Sequence, residues 1–125
     1  MTTLATSRLV AFLATTDAAR ARAFYTDVVG LGLVSEDPFA LVLDAHGTML
    51  RVQKVEKLIP PGHTALGWQV TDLGVTVGEL EKKGVVFERY GFLEQDDRGV
   101  WTSPSGAKIA WFKDPDGNTL SLTEM

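Results

Sequence analysis

Apolar and polar residues alternate along much of this chain, and the alternation predicts strands bounded by turn residues. The sharpest instance lies near the end. There Ala107–Lys108–Ile109–Ala110–Trp111–Phe112 and Thr119–Leu120–Ser121–Leu122–Thr123 flank Lys113–Asp114–Pro115–Asp116–Gly117–Asn118. Proline presets φ for the first central position of a type I turn, and glycine tolerates the left-handed position that follows. The stretch therefore predicts a β-hairpin. The same pattern occurs 70 residues upstream, with Asp44 against Asp114, Gly47 against Gly117, Leu50 against Leu120 and Val52 against Leu122. A fixed offset of this kind marks one supersecondary unit written twice.

Taken in order, Met1–Ser7 is polar and reads as a frayed end. Arg8–Thr15 predicts the first strand, and Asp17 an N-cap for a helix over Ala18–Val28, with Phe24 and Val28 on one face and Gly30 closing it. Leu31–Ser35 and the first hairpin, through Gln53, complete a β-α-β-β-β unit. Lys54–Gly62, with Pro60 and Pro61, breaks the pattern and reads as a linker.

The second unit opens with a strand from Thr64. Asp72 then caps a helix to about Lys83, with Leu73, Val77 and Leu80 on one face and Gly74 and Gly78 weakening it. Gly84 ends the helix, Val85–Tyr90 predicts a strand, and the last hairpin follows. The strand-to-helix step repeats at an offset of 55, Thr16–Asp17 against Thr71–Asp72, so the second copy is longer by about 15 residues (70 against 55). These fall in Gly91–Gly106, with Phe92, Glu94, Trp101 and Ser103–Pro104–Ser105–Gly106. An insertion in one copy is where a loop over a site tends to lie. The predicted fold is α+β, two tandem βαβββ modules in one domain: module 1 about 8–54, module 2 about 63–125.

Composition narrows the function. Hydrophobic content of 45% with 22% charged residues is ordinary for a globular chain. The net charge is −4 and the 12 Lys and Arg are scattered, so the footprint of a nucleic-acid binder is missing. Zero cysteines exclude disulfides, thiolate nucleophiles and Cys-ligated zinc, and fit a reducing cytoplasm. The longest apolar run near the start, Leu9–Ala14, is too short for a signal-peptide core or a membrane span. The expectation is a soluble cytoplasmic protein with no membrane partner.

Thr16–Asp17 followed by Phe24–Tyr25, Asp72–Leu73 with Gly84, and Asp114–Pro115–Asp116–Gly117–Asn118 together resemble the vicinal oxygen chelate superfamily, the glyoxalase/bleomycin resistance/dioxygenase fold. The resemblance covers nearly the whole chain. It implies two modules related by pseudo-twofold symmetry, whose sheets curl into a cup for a small molecule, commonly with a divalent metal. It also implies a homodimer.

In metal-using relatives four inward positions supply His, Glu or Gln. By the resemblance these fall on Val10, Arg51, Ala65 and Ser121. Valine and alanine carry no donor atom, and a permanent cation repels a divalent ion. The expectation is no metal and no cofactor. His63 stands two residues before Ala65 and is read three ways: a strand-end residue, a polar contact in the cup, or a ligand in a shifted register. His46 falls in the first hairpin turn and reads as surface.

Period-two alternation places Val10, Phe12 and Ala14 on the inner face, and Leu9, Ala11 and Leu13 against the helix. In the second module Ala65, Gly67 and Gln69 face in. On the closing strands so do Met49, Arg51 and Gln53, and Thr119, Ser121 and Thr123. Trp111 faces in if Gly117 makes a G1 bulge, and faces the helix if the turn has two residues. Arg51 suits an anionic or carbonyl-rich ligand, or else a structural ion pair. Phe92 and Trp101 could close over a planar ligand. The Glu94, Asp96, Asp97 and Arg98 cluster reads as solvated, with Glu94 a conceivable general base.

The candidate ligand-binding set is thus Phe12, Met49, Arg51, Gln53, His63, Gly67, Gln69, Phe92, Trp101, Trp111 and Ser121. The predicted function is metal-independent binding of a small organic molecule, with sequestration of the kind bleomycin-resistance proteins perform as what the resemblance implies. The alternatives are an enzyme of the glyoxalase, dioxygenase or isomerase kind using His63 or a loop residue, and an assembly module.

Overall fold

Asp17 and Asp72 start the two helices of the fold in the same way. Each carboxylate accepts from the backbone N–H three residues on, Arg20 at 3.1 Å and Val75 at 3.1 Å, which satisfies a donor the helix leaves free. In the computed structural model, which describes residues 3–125, the chain forms two compact units, one ending at Ile59 and the other beginning at Pro60. Part of the predicted frayed end, Met1–Thr2, lies outside the described residues; Leu4–Thr6 forms a short 3₁₀ turn.

The first unit runs β1 (Val10–Thr15), α1 (Ala18–Ala23), β2 (Gly32–Glu36), β3 (Ala40–Ala45) and β4 (Thr48–Lys54). Its mixed sheet has the order β1-β4-β3-β2, with β1 parallel to β4 and the other pairs antiparallel. The helix continues past Ala23 as a π-helical turn over Phe24–Val28, closed by Val29 N–H on Phe24 C=O at 3.0 Å. Here the expectation of a Phe24–Val28 face is corrected. The buried pair is Ala21 and Tyr25, with Tyr25 fully enclosed, while Phe24 and Val28 are half-buried. Leu9 is also corrected: the strand begins one residue later, and Leu9 is 75% exposed.

The second unit runs β5 (Thr64–Gln69), α2 (Leu73–Lys82), β6 (Trp101–Thr102), β7 (Lys108–Lys113) and β8 (Thr119–Glu124), in a sheet of order β5-β8-β7-β6. Leu73, Val77 and Leu80 are the buried residues of α2, as their spacing predicts, and the helix packs on β7 and β8. Ala110, Phe112, Leu120 and Leu122 are all buried in the core beneath it.

Val85–Tyr90 does not form the predicted strand. It runs beside β7 but holds it by one backbone bond, Glu88 N–H to Trp111 C=O at 2.8 Å, while β6 takes another part of that edge. The reason lies in the insertion. Asp96–Val100, Ser103–Ala107 and Asp114–Asn118 each close a five-residue turn, first N–H to fifth C=O and fourth N–H to first C=O. The fourth residue each time is a glycine at positive φ: Gly99 at 88°, Gly106 at 91° and Gly117 at 89°. These are type I turns with a G1 bulge. The insertion is therefore a short β-rich arm folded against β7.

Candidate functional site: an aromatic hollow in the second unit

The turn at Asp114–Asn118 decides which way Trp111 points. Three residues separate the paired Asp114 and Asn118, whereas in the first hairpin Ala45 pairs directly with Thr48 across a two-residue turn. That tighter turn needs both central residues at positive φ, and His46 at 51° and Gly47 at 88° supply them. The extra residue shifts β7 by one against its counterpart β3. Leu41 pairs with Val52 and is fully buried, but Trp111 pairs with Ser121 and stands on the face opposite Phe112.

On that open face the Trp111 indole N–H donates to Thr64 Oγ1 at 3.1 Å. Its ring meets Tyr90 edge-on, centroids 5.5 Å apart at 81°, and Trp101 at 6.2 Å and 34°. Tyr90 in turn lies 5.7 Å from Phe92. The four rings, with Gly62, His63, Thr64, Leu93 and Thr119, line a hollow of about 400 Å³. This is the size range of small-molecule sites, and an apolar wall with a few polar groups is their usual character. Phe92 is 84% exposed, a large ring left in water at the edge of a cavity.

The polar groups are few. Thr64 Oγ1 is oriented by the indole, and Thr119, opposite it in register, is buried. Burial, and next the nearby Glu88 carboxylate, push the Tyr90 phenol above its ordinary value of 10.0 against the opposing pull of Lys113. The phenol stays protonated at neutral pH and is available as a donor. His63 adds an imidazole to the wall.

Of the expected site residues, His63, Phe92, Trp101 and Trp111 come together here. Gly67, Gln69 and Ser121 do not line the hollow. Gly67 instead makes room for its neighbour, since a Cβ there would lie 2.5 Å from Ser121 Oγ. Phe12, Met49, Arg51 and Gln53 share the open face of the first sheet, where Phe12 pairs in register with Arg51. Phe12 is 54% and Met49 42% exposed. Arg51 contributes to holding the Asp37 carboxyl below its ordinary value, after the larger effect of the Phe39 and Ala40 N–H groups. Glu94 is exposed and is not among the residues lining the hollow.

Local detail adds to the sequence reading. The Glu94, Asp96, Asp97 and Arg98 side chains are exposed, and within the cluster Asp96 accepts from the N–H groups of Arg98 and Val100, both at 2.9 Å, while Arg98 reaches Glu81 at 2.9 Å. The pairing of β5 slips between Thr64 and Leu66, which sets Thr64 opposite Thr119. Sequence reasoning also missed Tyr90, Leu93, Thr64 and Gly62. Recurring Asp/Ser-x-x-Gly spacing at Asp96 and Ser103, as at Asp114, was the signal that the insertion folds through hairpin turns.

The family model of the glyoxalase/bleomycin resistance protein/dioxygenase superfamily matches residues 7–122. The chain belongs to this superfamily. Solved structures of similar fold include an antibiotic binding protein, TnmS3 from Streptomyces sp. CB03234, at 22% identity and TM-score 0.71, covering 98% of each chain. A superfamily member from Sphaerobacter thermophilus DSM 20745 is 23% identical, with TM-score 0.74, covering 95% of this chain and 97% of that one. Lactoylglutathione lyase from Agrobacterium tumefaciens is 19% identical, with TM-score 0.73, covering 95% and 93%. At these identities the likeness is one of fold. Comparison with curated proteins gives no match. Among the described residues no helix is long and apolar enough to cross a membrane.

Proposed function

We propose that this protein binds a small, planar, largely apolar organic molecule in the aromatic hollow of its second unit, without a metal ion, and serves to sequester it. The observation that carries the reading is the hollow itself, about 400 Å³ walled by Tyr90, Phe92, Trp101 and Trp111. Aromatic walls hold a flat guest by stacking and by excluding water from both surfaces. The antibiotic binding protein of similar fold is in keeping with this function, though at 22% identity it supports the scaffold rather than the guest.

Metal independence rests on chemistry. The positions to which the family's ligands map are Val10, Arg51, Ala65 and Ser121, two aliphatic side chains, a cation and a hydroxyl. That set does not suit a divalent ion. Among the described residues no three His, Cys, Asp or Glu side chains gather to hold one. The homodimer that the family resemblance implies belongs to the same reading. Exposed Val10, Phe12 and Met49 on one sheet face are in keeping with a covered surface.

The test is a fluorescence titration with three flat tricyclic probes, acridine, 9-anthroate and proflavine, with and without a chelator. Saturable quenching of tryptophan emission that survives the chelator supports the proposal; quenching that needs added metal, or no saturable binding by any probe, refutes it. A second reading, an enzyme of this superfamily, has one observation in its favour: His63 lines the hollow and offers an imidazole for proton transfer. Turnover of a bound compound that His63→Ala abolishes would establish it.

A further inference from the structure

Gln95 lies outside the hollow's wall, yet its side chain ties together the two stretches that build most of it. Its amide N–H groups donate to Glu88 C=O at 2.9 Å and Gly99 C=O at 2.7 Å, and its amide oxygen accepts from Tyr90 N–H at 2.7 Å. In a regular strand Glu88 C=O and Tyr90 N–H would pair with a neighbouring backbone. Here one side chain takes that place. The backbone of Gln95 also forms an isolated bridge to Trp101.

The surroundings leave little freedom for a substitute. Gly99 sits at a φ of 88°, and a Cβ there would lie 3.3 Å from both Phe87 Cβ and Glu88 C=O. The positive φ of Gly99 strains any other residue there, and the tight Cβ contacts show how closely the arm passes Phe87 and Glu88. Half-buried amide bonds of this kind cost free energy when one partner is removed and the rest stay unsatisfied. Tyr90, Phe92, Leu93 and Trp101 all lie within six residues of Gln95, which bonds Tyr90 N–H directly and bridges Trp101.

We infer that Gln95 is the positioning residue of the hollow: its three backbone bonds set the spacing of Tyr90 and Trp101 about Trp111. The inference rests on the proposed function only in treating the hollow as the binding site, and ligand-free measurements can decide it. Tyr90 amide hydrogen exchange reports the bond to Gln95 directly. The circular-dichroism couplet of the Trp101–Trp111 pair reports ring placement, since the centroids lie 6.2 Å apart; Trp101→Phe identifies that signal.

In Gln95→Ala, Tyr90 protection is expected to fall at least tenfold and the couplet to collapse, with exchange in β7 and β8 unchanged. Gln95→Glu keeps an acceptor for Tyr90 N–H but loses both donors. It is expected to retain Tyr90 protection while losing the couplet, and it serves if Gln95→Ala does not fold. Unchanged protection or an unchanged couplet in Gln95→Ala overturns the inference, as does a full couplet in Gln95→Glu. Acridine titration separates this from the functional reading. If wild type binds acridine, Gln95→Ala should weaken it at least tenfold, and equal affinity overturns the inference. If wild type fails to bind any flat probe, the functional reading falls, and the two ligand-free signals still decide for or against Gln95.

Discussion

The hairpin tips at Asp44–Thr48 and Asp114–Asn118 carry Asp and Gly at the same spacing, yet one closes over two residues and the other over three. In the first, His46 accepts a left-handed backbone and Asp44 makes one bond, to Gly47 N–H at 3.1 Å. In the second, proline forbids that backbone at its position. Asp114 is buried and accepts from Asp116 N–H, Asn118 N–H and Asn118 Nδ2 at 2.8–3.0 Å. The consequence is felt three residues before Asp114. Leu41 joins the core of one unit, while Trp111 becomes the wall of a cavity in the other. A duplicated scaffold can thus acquire a cavity by a change of turn length, with the hydrophobic pattern of the strands kept.

The largest effect should come from exchanging the tips. Replacing Pro115–Asp116–Gly117 with Ala-His-Gly, the residues of the first tip, would demand a two-residue turn with position 115 paired to Asn118, drive Trp111 toward the helix and push Phe112 into water. The expected result is loss of cooperative folding of the second unit, seen as lost exchange protection in β7 and β8. A folded protein with Trp111 still on the open face would break the comparison.

Next in size is Asp114→Ala, expected to cost about 3 kcal/mol because a buried Asn118 and two backbone donors lose their acceptor. Asp44→Ala removes one exposed bond and should cost about 0.5 kcal/mol. Urea denaturation of both variants checks the contrast, and equal losses would contradict it. Trp111→Leu, which writes the first unit's residue into the second, should weaken acridine binding about tenfold, or about 1.4 kcal/mol, with little loss of helix signal. Calorimetric titration measures it.

The smallest effect separates how the two units secure their outer edges. In the first, Glu36 bonds Lys54 at 2.8 Å and Arg22 at 3.5 Å, and the Lys54 bond chiefly holds its carboxyl below the ordinary 4.5. A carboxyl with a depressed folded-state value stabilises above its unfolded value, and that contribution disappears as pH falls through the folded one. Glu36→Gln should therefore lower stability slightly at neutral pH and make no difference in stronger acid. Gln95, which does the corresponding work in the second unit, carries no charge, and Gln95→Ala should be equally damaging at both pH values. Thermal melts at pH 7 and at successively lower pH distinguish the two: the cost of Glu36→Gln shrinks as the pH falls, and that of Gln95→Ala does not.

Much of the fold was legible from residues with local physical consequences. The capping of Asp17 and Asp72, the buried stripe of Leu73, Val77 and Leu80, and the glycines at positive φ after each helix were all readable. The facing of Trp111 was readable only as a condition on Gly117, because two turn lengths share one Asp-x-x-Gly spacing. The candidate site was legible in part. Phe92, Trp101, Trp111 and His63 were singled out by residue type, but Tyr90 and Thr64 were not. Their placement depends on the side-chain-to-backbone bonds of Gln95 and on the slip beside Ala65 in the pairing of β5 with β8, neither of which hydrophobic alternation records. The Val85–Tyr90 strand failed for the same reason: its alternation is right, but a side chain from the insertion occupies the bonds a strand would offer.

The central claim is that the register of the second hairpin turns Trp111 outward to form a cavity that holds a flat guest with no metal. The most direct test follows the Trp111 indole N–H resonance in a chelator-treated sample titrated with acridine. The account predicts a saturable shift of that resonance, together with the Trp101 indole and the Thr64 amide, and no shift in the buried Leu41 methyls. An indole signal that stays fixed, or moves only after a divalent metal is added, would contradict it.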